Sequence, residues 1–397
     1  MTLDSSTKRR YVLVLGLLTG LGAVTVDMSL ASIPEMAPAL NSTVSAAQQI
    51  IGVFILGIGL GQLPAGLMSD RVGRLPVIRF GLGLFTIAGI LTAIAPSIET
   101  MLAARLAQGL GASVGIVVAR AIVRDIASGE EAARMLSIMV MIFTAAPMLA
   151  PIVGGYLVTH IGWRAPFIAI TVFGGIVFAA VLLGLSETGR PSKDQRLFRQ
   201  LWNSCTEFFS HRRSLLGCLM IVLPAMGFMP LISSAPALII EIYGYTPQQF
   251  GLLFAMAGLS ILLGSMINRK LLYRLNTLQL IGAGTVIIGT ASMQLLLIAW
   301  LGEANFWWLW GCVCLYMFGV SFLGANATAI ALDPVPHIAG VSASLIGALQ
   351  NILASGSAVV AGLIYDGTVR TSVILIGCFG IVTLLVFLSH GLILRRR

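Results

Sequence analysis

Twelve long apolar stretches set the strongest constraint on what this chain can fold into. A helix needs about 20 apolar residues to cross the hydrocarbon layer of a membrane, where every backbone N–H and C=O must be paired. The stretches of that length are residues 11–33, 48–68, 76–95, 101–123, 136–158, 163–185, 214–239, 248–268, 278–300, 306–332, 338–364 and 371–394. They predict an all-α membrane protein with twelve transmembrane spans, numbered 1 to 12 below.

Composition excludes several other classes. Of the 397 residues, 57% are hydrophobic and 10% charged, whereas a soluble domain carries about 25% charge. A cytosolic enzyme, a disordered chain and a nucleic-acid-binding domain are therefore not expected, despite the net charge of +9. The sequence has no phosphate-binding GxxxxGK[ST] loop, and its four histidines and five cysteines lack metal-ligand spacing, so neither a metal nor a cofactor is predicted.

The positive charges predict the orientation of the spans. Clusters of Lys and Arg that fall on one side are Lys8 to Arg10, Arg71 to Arg79, Arg124 with Arg134, Arg190 to Arg213, Arg269 to Arg274 and Arg395 to Arg397. Cytoplasmic loops carry such an excess, so both termini are expected in the cytoplasm. The opposite loops contain Arg164 and Arg370, and the tryptophans Trp307, Trp308 and Trp310 there suggest an interfacial aromatic belt.

A charged linker divides the spans into two sets of six. We expect a six-helix N-terminal bundle at 1–186, a cytoplasmic linker at 187–212 and a six-helix C-terminal bundle at 213–397. Apolar residues of the linker recur at helical spacing, at Leu197, Leu201, Cys205 and Phe208. That spacing predicts a short helix lying on the inner membrane surface.

A weak internal repeat supports this division. Gly66, Asp70, Arg71 and Arg74, after span 2, are echoed after span 8 by Gly264, Asn268, Arg269 and Arg274. Two six-helix pseudo-repeats are the architecture of secondary transporters, which bind their substrate near the midplane where the halves meet.

Three motifs resemble signatures of the major facilitator superfamily. They are Gly66–Pro76, reading GLMSDRVGRLP, Arg105–Gly111 in span 4, reading RLAQGLG, and Ala146–Gly155 in span 5, reading APMLAPIVGG. The resemblance implies the major facilitator fold. The third motif is similar to that of the antiporters and implies exchange rather than symport.

Shorter segments resemble the bicyclomycin and chloramphenicol resistance branch, which comprises drug:proton antiporters. These segments are Asp27-Met28, Ala119–Asp125 (ARAIVRD), Trp163-Arg164, Ser234–Pro236 and Pro336–Gly340. The sequence departs from the pattern of this branch at one place that bears on the substrate. That branch usually continues Asp-Met with Tyr-Leu-Pro, whereas Ser29, Leu30 and Ala31 follow here.

Two charged residues lie inside spans and are the predicted proton-coupling and substrate site. Asp27 lies about 9 Å below the outer end of span 1, and Arg105 about 7 Å below that of span 4, at 1.5 Å per residue. Because a buried charge is costly, each should face the protein interior. The resemblance also implies a functional acid and arginine here. The alternative is a static ion pair joining the two spans.

A conformational gate is predicted at the cytoplasmic turn after span 2. There the Asp70 carboxylate could accept hydrogen bonds from the start of span 11, after Pro336, where the helix dipole is positive. The residues assigned to this gate are Gly66, Asp70, Arg71, Gly73, Arg74, Arg120, Arg124 and Asp125. Alternatively, the arginines serve only to anchor the topology.

Span 5 supplies the antiporter motif, with Pro147, Pro151, Gly154 and Gly155. Proline frees backbone carbonyls and bends a helix, and glycine allows close helix packing. The motif predicts a bendable, tightly packed seam, with ordinary membrane-helix packing as the alternative.

Four residues are candidates for the substrate pocket. Met141 and Met226 would form an adaptable apolar wall, and Tyr316 and Asn351 would supply polar groups. Ordinary core or lipid contacts would also explain the methionines, and hydrogen bonds between helices would explain Tyr316 and Asn351.

The expected function is proton-driven export of small, largely apolar or cationic compounds such as antibiotics from the bacterial cytoplasm. The protein should lie in the inner membrane, act as a monomer on a small-molecule substrate and protons, and bind no nucleic acid. The alternatives are an exporter of a metabolite such as a nucleoside, sugar or amino acid and, more remotely, a membrane enzyme or receptor.

Overall fold

The structure is a computed structural model that describes residues 5–189, 197–302, 305–365 and 367–394. These residues form helices joined by short turns and contain no β-strand. The α-helices are α1 Ser5–Ser29, α2 Ile33–Ala39, α3 Val44–Val72, α4 Arg74–Ala93, α5 Ile98–Ile126, α6 Gly129–Ile161, α7 Ala165–Gly184, α8 Leu197–Ser210, α9 Arg212–Pro236, α10 Pro247–Leu271, α11 Thr277–Leu301, α12 Phe306–Leu332, α13 Ala339–Leu363 and α14 Arg370–Leu394.

Twelve of the described segments are long and apolar enough to span a membrane, which confirms the all-α fold class with twelve spans. Several helices extend beyond the predicted stretches, because hydropathy identifies only the apolar part of a helix and leaves out its polar end turns. Thus α6 begins at Gly129 rather than near residue 136. Its first turn contains Glu130 and Glu131, which are polar but favoured at the positive end of the helix dipole.

The first span is broken near its C-terminal end. After α1 the chain makes a 3₁₀ turn over Leu30–Ser32 and continues as α2, with Pro34 in the first turn. Proline fits the start of a helix because the N–H that it lacks would have no helical partner there. The span therefore runs to Ala39 instead of ending near residue 33.

The chain divides into two compact units, Met1–Phe198 with Thr246–Leu252, and Arg199–Tyr245 with Leu253–Arg397. In the first unit α5 packs against α3 and α4, α1 packs against α6, and α4 packs against α7. The α3–α5 contact is close because α5 presents Gly109, and a Cβ added there would overlap the carbonyl oxygen of Phe54. Small residues of this kind allow membrane helices to pack backbone to backbone.

In the second unit α9 packs against α12, α13 and α14, and α11 packs against α12 and α14. The belt predicted from three tryptophans is wrong for Trp310, which is 1% exposed and donates a hydrogen bond to the Leu253 carbonyl at 3.0 Å. Trp307 is 57% exposed. Trp308 and Trp310 are two positions, or about 200°, apart around the helix, so a cluster in sequence is not a cluster on one surface.

The predicted linker helix is present as α8, whereas linker residues 190–196 lie outside the described part of the chain. Phe208 is fully buried, and the Oε1 of Glu207 lies 3.0 Å from the Nε2 of His337, which is in the turn before α13. Trp202 on the same helix is 67% exposed.

Candidate proton-coupling site

Arg105 occupies a fully buried position on α5. Its guanidinium donates to the Oγ of Ser29 at 2.7 Å, to the Thr25 carbonyl at 3.5 Å and to the Oε1 of Gln108 at 3.0 Å. Thr25 and Ser29 lie one turn apart on α1, either side of Asp27 in sequence. Arg105 therefore lies level with Asp27 along the axis of α1.

Two aromatic rings complete the surroundings of Arg105. Its guanidinium carbon lies 5.0 Å from the ring centre of Phe54 and 5.3 Å from that of Phe167. Both distances are within the range of an attractive cation–π contact. The Nε atom has no hydrogen-bond partner among the described residues. The cation is thus held by neutral groups, with no carboxylate at hydrogen-bond distance in the described chain.

Asp27 lies on the opposite face of α1 from the residues that contact Arg105. Successive helical residues are about 100° apart, so Asp27 is about 160° from both Thr25 and Ser29. Its side chain is 7% exposed and forms no ion pair or hydrogen bond with any described residue. The static ion pair considered as an alternative is therefore absent from this structure.

The antiporter motif packs directly beside Asp27. A Cβ added to Gly154 of α6 would overlap the carbonyl oxygen of Met28, so the two backbones touch there. Gly155 is also buried, and α6 continues as one helix through Pro147 and Pro151. A residue larger than glycine at 154 would have to push α6 away from α1 next to the buried carboxylate.

The predicted gate contains a charge cluster centred on Arg74. This side chain forms an ion pair with Asp70, and its Nε lies 2.9 Å from the Oδ2 of Asp125. It also donates to the Oγ of Ser69 at 2.9 Å. The cluster joins the end of α3, the start of α4 and the end of α5.

Glu187 belongs to this cluster, although the sequence gives no local sign of it. Its carboxylate accepts the backbone N–H groups of Arg74 and Leu75, each at 2.9 Å, and so caps the start of α4. Burial favours the neutral acid, but these bonds and those from Thr188 and Gly189 outweigh it and hold the pKa of Glu187 below its usual value.

Two features of the structure require glycine at position 73, just before this cap. Gly73 has a φ of +105°, a conformation that residues with a Cβ rarely adopt, and a Cβ there would lie 2.8 Å from the Oε2 of Glu187. Gly66, in contrast, makes only a looser approach to Val117 of α5.

The residues of the predicted gate do not all join this network. Asp125 joins the charge network, but Arg120 and Arg124 form no ion pair with the described residues, and neither does Arg71. The reason is helical geometry. Arg120 and Arg124 share one face of α5, and Asp125 is about 100° away, on the face that meets Arg74.

The second unit has a neutral counterpart of this cluster. Asn268, the echo of Asp70, accepts a hydrogen bond from the Nδ2 of Asn326 at 2.8 Å, and both side chains are buried. The first unit thus has an ionic cluster at the end of α3. At the end of α10 the second unit has an amide pair, formed with α12.

The pocket candidates do not share one environment. Tyr316 is fully buried and donates to the Pro224 carbonyl at 3.1 Å, which matches the alternative of a bond between helices. Met226 and Asn351 are half-buried, and Met141 is 66% exposed. The structure does not bring these four residues together within one unit, since Met141 belongs to the first and the others to the second.

The fold and its motifs have a clear counterpart among known proteins. The family model described as Major Facilitator Superfamily matches residues 15–358. The chain belongs to this superfamily. It is therefore a multi-pass membrane transporter rather than an enzyme, and its partners are a small-molecule substrate and the lipid bilayer.

Relatives within the superfamily are bacterial. The chain is 31% identical to the Uncharacterized MFS-type transporter YdgK of Bacillus subtilis, over 86% of each chain. It is 30% identical to Multidrug resistance protein D of Escherichia coli, over 89% of this chain and 87% of the relative. It is 29% identical to the Bicyclomycin resistance protein homolog of Haemophilus influenzae, over 86% and 85%.

Solved structures show the same fold at lower identity. The xylose transporter XylE of E. coli, in a partially occluded inward open conformation, aligns with a TM-score of 0.74 and 14% identity over 97% of this chain and 98% of that one. A D-xylose-proton symporter aligns with a TM-score of 0.76 and 15% identity, over 95% and 96%. The major facilitator fold predicted from the motifs is thus confirmed.

Proposed function

We propose that this transporter exports small organic compounds across the bacterial inner membrane in exchange for protons, with both termini in the cytoplasm. The names of the relatives, multidrug and bicyclomycin resistance proteins, support drug efflux. The observation that carries the proposal of proton exchange is Asp27, a carboxylate that is buried in a membrane span and has no partner in the described chain.

An unpaired carboxylate in such a place can take up a proton without breaking a salt bridge. Burial favours this step because it penalises the charged form. Arg105 stays bonded to Ser29 and Gln108 in either case, so it supplies a constant positive potential at the same depth. In the proposed cycle Asp27 takes up a proton on the outer side and releases it on the inner side as the compound binds.

The Arg74 cluster is proposed to control the conformational change. Its three acids and one arginine join the cytoplasmic ends of three helices through bonds that can break and re-form without exposing apolar surface. Pro147 and Pro151 of α6, together with the Gly154 contact at Met28, would transmit movement to the helix that carries Asp27.

Purified protein in liposomes with an imposed pH gradient tests the proposal. Asp27→Asn should abolish gradient-driven accumulation of compounds such as chloramphenicol or ethidium while leaving downhill exchange. Glu35→Gln is the matched control, because this acid lies in the same span but is exposed. Full gradient-driven transport by Asp27→Asn would refute the role assigned to Asp27.

An endogenous metabolite is the second candidate substrate, because Ser29–Ala31 replaces the usual residues beside Asp27. Metabolite release and drug tolerance, compared between deletion and overexpression strains, separate the two.

A further inference from the structure

A cavity of about 780 Å³ lies at the cytoplasmic end of α1 and α6, far from Asp27 along the helix. Both helices belong to the first unit and contribute all of its lining residues, which are Lys8, Arg9, Val12, Leu13, Glu130, Glu131, Arg134, Met135 and Ile138. The volume is that of a site for a drug-sized molecule.

The lining is ordered along the membrane normal. On α1 the charged residues Lys8 and Arg9 come one turn before Val12 and Leu13. On α6 the charged residues Glu130 to Arg134 likewise come before Met135 and Ile138. The cavity thus has a charged rim at its cytoplasmic end and apolar walls deeper in, which suits a molecule with a polar end and an apolar body.

The rim presents charges of both signs. Lys8 and Glu131 neutralise each other in an ion pair of 2.6 Å. Arg9, Arg134 and Glu130 form no ion pair within the described chain. Three positive and two negative side chains give the rim a net charge of +1, which disfavours a cation. An uncharged group can accept from the arginines and donate to Glu130.

The cavity and Asp27 share one face of α1. Arg9 and Asp27 are 18 residues, or five turns, apart and so point the same way, and Leu13 is about 40° off this line. Leu13 is about 21 Å below Asp27 at 1.5 Å per residue. Between them the face contains Gly16 and Gly20, which contact Ile142 of α6.

We propose that this cavity is the cytoplasmic loading site of the exported compound, and that it selects uncharged amphiphiles with hydrogen-bonding groups at one end. This inference rests on the proposed export function and narrows the apolar or cationic substrates expected from the sequence. The compound would enter from the cytoplasm, and the contacts of Gly16 and Gly20 with Ile142 would have to open before it could move along this face of α1 toward Asp27.

Thiol labelling tests the site without any gradient. In a full-length variant whose five cysteines are replaced by serine, Leu13→Cys is exposed to a membrane-impermeant sulfonated maleimide in inside-out vesicles. Uncharged chloramphenicol should slow the labelling at least threefold, and cationic ethidium should not. Tyr273→Cys is the control, because this residue of the turn after α10 is 89% exposed, lies outside the cavity and should show no protection.

Two further changes make the test decisive, a cysteine on the facing helix α6 and the removal of positive charge from the rim. Ile138→Cys, on the facing helix, should repeat the protection pattern. In the Arg9→Gln, Arg134→Gln double variant the preference should shift at least fivefold toward ethidium, whereas Arg79→Gln, outside the cavity, should not change it.

Three results would overturn the inference. The first is that chloramphenicol gives no protection, and the second is that ethidium protects equally well. The third is that labelling is blocked in vesicles but occurs freely in detergent, with or without chloramphenicol, which would assign the cavity to a phospholipid. Because labelling needs no pH gradient, each is distinguishable from loss of proton coupling, which the Asp27→Asn experiment reports.

Discussion

Ser29 accepts a hydrogen bond of 2.7 Å from the guanidinium of Arg105, on the face of α1 opposite to Asp27. Ser29 is also the residue at which the sequence departs from the resistance-protein pattern. Its hydroxyl donates a hydrogen bond to the Thr25 carbonyl at 2.9 Å, so the bond to Arg105 extends the hydrogen-bond network of α1 itself. This arrangement leaves the Asp27 carboxylate without a partner among the described residues.

The Ser29–Arg105 bond predicts the effect of Ser29→Ala. A buried charged donor would lose its partner, which costs about 1–3 kcal/mol, and gradient-driven transport should fall as Arg105 shifts. Ser32→Ala is the matched control, since the Ser32 hydroxyl is buried without a partner in the described chain. Thermal unfolding in detergent and liposome transport measure both variants, and equal effects would contradict the importance of this bond.

Gly154→Ala should separate α6 from α1. The added methyl group overlaps the Met28 carbonyl, and overpacking of this kind costs about 1–3 kcal/mol. Transport should fall with stability because the displaced segment adjoins Asp27. In contrast, Gly175→Ala on α7 meets nothing within 4 Å and should be neutral or stabilising by about 0.5–1 kcal/mol. Unimpaired transport by Gly154→Ala would show that the close seam is dispensable.

Arg74→Gln should impair the cytoplasmic cluster. The carboxylates of Asp70 and Asp125 would lose their shared cation and repel each other. We expect a lower unfolding temperature and at least a tenfold loss of transport. Arg79→Gln removes an equal charge from the same helix at an exposed site and should have little effect. If both variants behaved alike, these arginines would act only through membrane topology.

The cap at the start of α4 predicts a pH dependence. Because folding lowers the pKa of Glu187, the cap stabilises the protein fully above the ordinary glutamate value of about 4.3 and loses this effect as the pH falls through the lower folded value. Glu187→Ala should cost about 1 kcal/mol at pH 7. Glu187→Gln should remove this part of the acid dependence of thermal unfolding, and an unchanged acid profile would exclude the cap as its source.

Tyr316→Phe distinguishes a structural role from a role in the substrate pocket. Loss of the bond to the Pro224 carbonyl should lower stability by about 1 kcal/mol. The KM for chloramphenicol should not change, because the hydroxyl is enclosed and already bonded. A severalfold rise in KM with unchanged stability would place Tyr316 in the pocket after all.

The sequence by itself predicts the spans, their number and the family, because these follow from signals within single segments. Length and apolarity are enough to define a membrane helix. The motif Gly66–Pro76 and the charged residues Asp27 and Arg105 are likewise visible without coordinates. Gln108 could have been found too, since it lies one turn after Arg105 in the same motif.

Tertiary structure alone decides which side chains meet. Arg105 bonds to Ser29 instead of Asp27 because the helical period turns those two residues of α1 to opposite faces. Glu187 reaches Arg74 across 113 positions of sequence. Arg164, one of the two basic residues predicted in the opposite loops, caps the end of α4 by donating to the Ala93 and Ala95 carbonyls at 3.2 and 3.1 Å. Membrane insertion is decided by each segment's own hydropathy, whereas such contacts depend on how helices distant in sequence rotate and pack.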